Sequence, residues 1–110
     1  MKTELQANAK SNRQLNRMPF DPQLSPGARN AVRVCLSVQP SEKVTVITDE
    51  VSLEIAAAIV HELEDIGCRY QTWVLEDLAP RPLIDLPLAI AEDLETSQVS
   101  IFAVQAQANE

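Results

Sequence analysis

The sequence predicts an α/β domain of three layers, with a short parallel sheet of three strands and helices on both faces. Two observations carry this. Gln39 to Cys68 reads as turn, strand, helix and glycine stop, the opening of a βαβ unit. After it, strand, crossover helix and strand follow once more, ending in the apolar run Val99-Ser100-Ile101-Phe102-Ala103-Val104. The 110 residues suffice for one domain.

Residues 1–24 hold scattered apolar side chains (Leu5, Leu15, Met18, Phe20) without a sustained period. They read as a flexible basic arm that contains at most a short helix and ends in the turn region from Pro19 to Pro26. The domain proper is placed at residues 25–110. Ser25-Pro26 marks a helix start, with serine as the N-cap and proline in the first turn. The helix is expected over Pro26 to Ser37, burying Ala28, Ala31, Val32, Cys35 and Leu36, with Arg29 and Arg33 on the opposite or flanking side.

Lys43 to Thr48 is the first strand, and Val44-Thr45-Val46-Ile47-Thr48 is β-branched throughout. The central helix is expected over about Val51 to Ile66, with Ile55, Ile59, Leu63 and Ile66 at helical spacing and Ala56 and Val60 beside them. Thr48 or Asp49 can cap its start, and Asp49, Glu50 and Glu54 suit the positive end of its dipole. Gly67 stands where a left-handed residue ends the helix. Glu62 projects into the apolar arc between Ile55 and Ile66. Its ordinary reading is a rim carboxylate that meets an arginine such as Arg33 or Arg69; the sharper one is a buried functional carboxylate, which burial would force to find a cation or a proton.

The second strand is placed at Arg69 to Leu75, where alternation suggests an edge strand with one wetter face. Glu76 to Asp85 is a stiff loop with Pro80 and Pro82. A short helix follows from about Pro87 to Glu95, with Leu88, Ala91 and Leu94 (or Ile90) inward. The third strand, Val99 to Val104, is apolar enough to be buried on both faces. With the first strand central the order is 2-1-3, which leaves the third strand at an edge. Something is then expected to cover it, either more of the same protein or another chain.

Charge divides unevenly. Residues 1–33 carry six basic and two acidic side chains, a net +4; residues 34–110 carry three and fourteen, a net −11. An acidic body is a poor partner for nucleic acid. The arm can dock on that body, dock on another subunit, or stay solvated. No glycine-rich loop is present, and Thr48-Asp49-Glu50-Val51 after the first strand would repel a phosphate. A phosphorylated receiver domain would want an aspartate where Gln105 stands. Cys35, Cys68 and the single histidine, His61, do not make a zinc ligand set, and both cysteines read as small buried hydrophobes. His61 falls on the polar side of the central helix, near Glu54 and Asp65. No signal-peptide pattern and no membrane-length apolar run appears, so the expected setting is reducing and cytoplasmic.

The run Ala31-Val32-Arg33-Val34-Cys35-Leu36-Ser37-Val38-Gln39-Pro40-Ser41-Glu42-Lys43-Val44, with Asp49-Glu50, Gly67-Cys68 and Ala108-Asn109-Glu110, resembles the opening of the thermophilic metallo-aminopeptidases, the aminopeptidase T group of leucyl aminopeptidases. Those begin with a helix and a "V-x-P-G-E-x-V" turn; Ser41 replaces the glycine here. The likeness covers roughly residues 27 to 110 and implies a Rossmann-like N-terminal domain. In that family a larger catalytic domain follows, in which two divalent metals such as zinc or cobalt activate water to cleave an N-terminal residue from a peptide. None of its metal-ligand or catalytic segments maps onto this chain, so no catalytic, cofactor-binding or metal residue is assigned and the chain alone is expected to be inactive. The implied partners are a C-terminal catalytic domain or a second subunit over the third strand, with a homodimer possible. The alternative is a stand-alone α/β interaction or oligomerisation module without catalysis.

Overall fold

The computed structural model describes residues 15–105. The sheet has three parallel strands, β1 (Lys43–Thr48), β2 (Arg69–Val74) and β3 (Val99–Ala103), in the order β2-β1-β3. Lys43 lies opposite Arg69 and Thr48 opposite Val74 on one side of β1; on the other, Val44 lies opposite Val99 and Thr48 opposite Ala103. The central place of β1 follows from its side chains: Val44 through Thr48 are all buried, as a strand covered on both faces requires.

Helices cover both faces. Val44 and Val46 turn to a core shared with α1 (Ser25–Arg29), the turn that follows it, and α2 (Leu53–Ile66), through Ala28, Val32, Ala56, Ile59, Val60 and Leu63. Ile47 turns the other way, to Ile90 on α3 (Leu88–Leu94) and to Leu75. This is the three-layer α/β architecture and strand order that the sequence predicts. Gly67 ends α2 with φ of +87°, and its N–H donates to the Leu63 carbonyl at 3.0 Å.

Several local expectations are corrected. Ser25 is not the N-cap of the first helix. A 3₁₀ turn, Pro22–Leu24, precedes it, and Asp21 caps that turn by accepting the Gln23 N–H at 2.9 Å. The chain runs through α1 into a π-helical stretch, Asn30–Cys35, rather than one α-helix to Ser37. Ser37 follows with φ of +52°. The wider turn spoils the 3.6-residue stripe. Ala28 and Val32 stay buried and Ala31 is half-buried, but Cys35, Leu36 and Val34 face out.

α2 starts at Leu53, and Ile55, in its first turn, is half exposed although its spacing is right. On α3 the anchor is Ile90, while Leu88, the first residue of the helix, points outward. β3 is not buried on both faces. Val99, Ile101 and Ala103 meet the α2 core, whereas Ser100 and Phe102 stay exposed; α3 makes its contacts with Thr45 and Ile47 of β1 and Trp73 of β2.

Residues 1–14 of the arm lie outside the described residues. Its remainder packs on the body: Leu15 is buried against α2, and the Asp21 N–H donates to Glu54 at 2.8 Å.

Candidate functional site

In an open α/β sheet, ligands sit beyond the carboxyl ends of the strands where the strand order reverses. Here the chain leaves β1 for β2 on one side and later returns to β3 on the other, so the reversal falls between β1 and β3. Asp49 leaves β1 at this point, Gln105 lies two residues beyond β3, and the loop after β2 brings in Arg81.

These groups close on one another. Arg81 Nη1 lies 2.7 Å from Asp49 Oδ2 and 3.3 Å from Glu76 Oε2, and Nη2 donates to the Gln105 carbonyl at 3.0 Å. The Gln105 N–H donates to Asp49 Oδ2 at 2.9 Å, and the Ser52 N–H to Oδ1 at 2.9 Å. Asp49 is fully buried, and the Arg81 side chain is 5% exposed. Burial works to raise the Asp49 carboxyl, but the Arg81 guanidinium and the Gln105 and Ser52 donors outweigh it and hold the group below the ordinary carboxylate range.

Both Asp49 oxygens are therefore engaged by donors, and a guanidinium stands where a phosphate or a sugar would enter. The expectation that Asp49 serves the start of α2 is met only in part. It takes the Ser52 N–H, while Ser52 stands at the N-cap without a side-chain capping bond, and the closest ionic partner of Asp49 is Arg81. Arg81 was not singled out by sequence. Its signal would have been a single arginine in an otherwise acidic stretch, held between Pro80 and Pro82.

Beside this plug lies an apolar groove of about 280 Å³, walled by Ile47, Leu75, Leu83, Leu86, Phe102 and Val104. Ile84 at its lip is 94% exposed and Phe102 is 60% exposed. Phe102 of β3 forms part of the groove wall, and β3 pairs only with β1 among the described strands.

A second polar cluster pins α3 to the sheet. Asp93 accepts from Thr45 Oγ1 at 2.8 Å and from Trp73 Nε1 at 3.0 Å, and Lys43 Nζ bonds its other oxygen. Lys43 also donates to Thr96 Oγ1 at 2.7 Å, and Thr45 meets the Ser97 hydroxyl. Burial pushes the Asp93 carboxyl up, but the bonds from Lys43, Trp73 and Thr45 prevail and lower it. Asp93 was not singled out by sequence.

Glu62 itself is 4% exposed and meets Arg33, whose Nε donates to Oε1 at 2.9 Å; Arg29 Nε stands 3.9 Å from its other oxygen. Arg33 also reaches Asp65 at 2.7 Å. The expected arginine pairing therefore holds for Glu62, with Arg33 as the partner, but the carboxylate is buried rather than at the rim. Cys68 is buried, which pushes its thiol up, and Cys35 is exposed, against expectation; neither is in a disulfide. His61 is exposed at a shallow recess with Asn16, Glu64 and Asp65, and its ring meets Phe20 edge-on at 5.7 Å. Among the described residues no three of His, Cys, Asp and Glu converge as a metal ion needs. Among them, too, no helix is long and apolar enough to cross a membrane. No protein-family model, curated protein or solved structure matches the chain.

Proposed function

We propose that this chain is a non-catalytic α/β docking domain that seats another protein element along the outer edge of β3 and in the groove beside it. The observation that carries this reading is the state of that edge. Its residues Gln98 to Gln105 are uncharged and free of proline, and Phe102 and Ile84 stand out into solvent next to it. Edge strands that are not meant to pair are usually blunted by charge or proline. The filled crevice at Asp49 and Arg81 supports the non-catalytic part, since the usual ligand position of such a sheet is occupied by the protein's own ion pair.

The resemblance to the metallo-aminopeptidases names one candidate for the docked element, a catalytic half that holds two divalent metals and hydrolyses peptides. The turn of the motif that carries the resemblance is formed. Gln39 to Glu42 form the turn before β1, with the Gln39 N–H on Glu42 Oε1 at 2.8 Å and the Glu42 N–H on the Gln39 carbonyl at 3.0 Å. A cytoplasmic setting fits two cysteines that are not joined.

The test is the intact mass of the protein in its native source, detected with an antibody against this domain, under denaturing and native conditions. A denatured mass several times 12.1 kDa, with zinc- or cobalt-dependent aminopeptidase activity in the same material, is the outcome the aminopeptidase reading expects. A denatured mass of 12.1 kDa overturns that reading and leaves the stand-alone module. A native mass of 12.1 kDa as well overturns docking altogether.

A further inference from the structure

We propose that β3 pairs antiparallel with β3 of a second copy of the chain, about a twofold axis through Ile101, joining two three-stranded sheets into one of six strands. This rests on the docking reading above and names its partner.

The charge distribution selects this seam. The chain carries a net charge of −7, so two copies repel one another as bodies. Gln98 to Gln105 carry no charge, so strands meeting there place no like charges opposite each other.

The seam is also self-complementary. With the axis at Ile101 all five residues of β3 find a partner. Val99 faces Ala103 of the second copy, and Ser100 faces Phe102, so a larger side chain meets a smaller one at each of these positions. Such a twofold, perpendicular to the sheet, keeps like faces together. Val99, Ile101 and Ala103, which pack toward the α2 core, meet their counterparts on that face. Ser100 and Phe102 lie on the opposite face with Ile47, and there Phe102 is 60% exposed. Pairing satisfies the outward N–H and C=O groups of β3 and covers Phe102 in one step.

Sedimentation equilibrium of the 110-residue chain tests this, with Phe102→Asp and Ser100→Asp beside the wild type and amide exchange as a second readout. Both substitutions fall at exposed positions, so an unchanged circular dichroism spectrum is expected for each variant. The expected result is a wild-type mass twice 12.1 kDa with protected β3 amides, and 12.1 kDa with rapid β3 exchange for both variants. Should Phe102→Asp fail to fold, Ser100→Asp alone decides, because it sets a carboxylate against Phe102 of the second copy. A dimer that persists in the folded variants overturns the proposal, and so does a wild-type mass of 12.1 kDa. In the monomer case, β3 amides that become protected when the chain is bound in material from the native source leave the docking reading standing with a different partner. Amides that exchange freely in both settings overturn both.

Discussion

Asp49 and Arg81 show how a single pair can decide the use of a site. A buried ion pair is weak evidence for stability, since well-packed apolar residues often replace it without loss, but removing one partner strands the other charge. Arg81→Met is therefore expected to destabilise the fold by about 3–5 kcal/mol, read as a fall in the urea midpoint. Acid acts on the same carboxylate. Asp49 and Asp93 are both held below the ordinary aspartate value of 3.8. Between that value and the lower folded one the unfolded chain binds more protons than the folded chain. The contribution is thus complete at neutral pH and is lost as pH falls from the ordinary value through the folded one. Urea unfolding across an acid series should show this loss, and Asp49→Asn should flatten it; an unchanged slope would count against the pair as its source. Gly67 offers a smaller effect with a clean cause. A Cβ there meets nothing within 4 Å, so only the positive φ of 87° is costly. Gly67→Ala is expected to cost about 1 kcal/mol in a denaturant titration.

At the scale of elements, α2 and β1 form the centre, and α3 is held by little. Its one fully buried side chain is Ile90, helped by the Asp93 bonds to Thr45, Trp73 and Lys43. Leu63→Ala in α2 and Ile90→Ala in α3 are each expected to cost about 2–5 kcal/mol. They should differ in extent as well as size. Leu63→Ala weakens the main core, whereas Ile90→Ala should raise amide exchange first in α3 and in the loop that carries Arg81. Equal exchange across the whole chain in the Ile90 variant would show that α3 does not open separately. The elements legible in the sequence were those whose residues agree locally. β1 is β-branched from end to end, α2 has apolar spacing and a glycine stop, and Glu62 sits within reach of Arg33. Leu36, Ile55 and Leu88 were misjudged because spacing fixes only a direction around a helix axis. Whether anything lies in that direction depends on the neighbouring element, and the π-helical stretch Asn30–Cys35 changes even the direction.

For the whole molecule, the acidic body and the described part of the basic first third, residues 15–33, are joined rather than separate. Arg33 docks on Glu62 and Asp65, and Leu15 enters the α2 core. Both outer edges of the sheet stay unpaired among the described strands; β2 carries Arg69, whereas β3 is uncharged. If two copies close the β3 edge, folding is linked to association, and the unfolding temperature should rise with protein concentration for the wild type and not for Phe102→Asp. A midpoint independent of concentration in both would speak for a monomeric fold.

Pattern and order along the chain were enough to establish the layer architecture, the parallel sheet and the central place of β1. Local propensity and the alternation of strand and helix constrain those features before any contact is made. The plug at the sheet's carboxyl end, the Asp93 pin and the exposed side of β3 were decided only in three dimensions. Each depends on side chains from separate elements meeting: Asp49 and Arg81 are 32 residues apart, Thr45 and Asp93 are 48 apart, and Phe102 is exposed while α3 makes its contacts with β1 and β2.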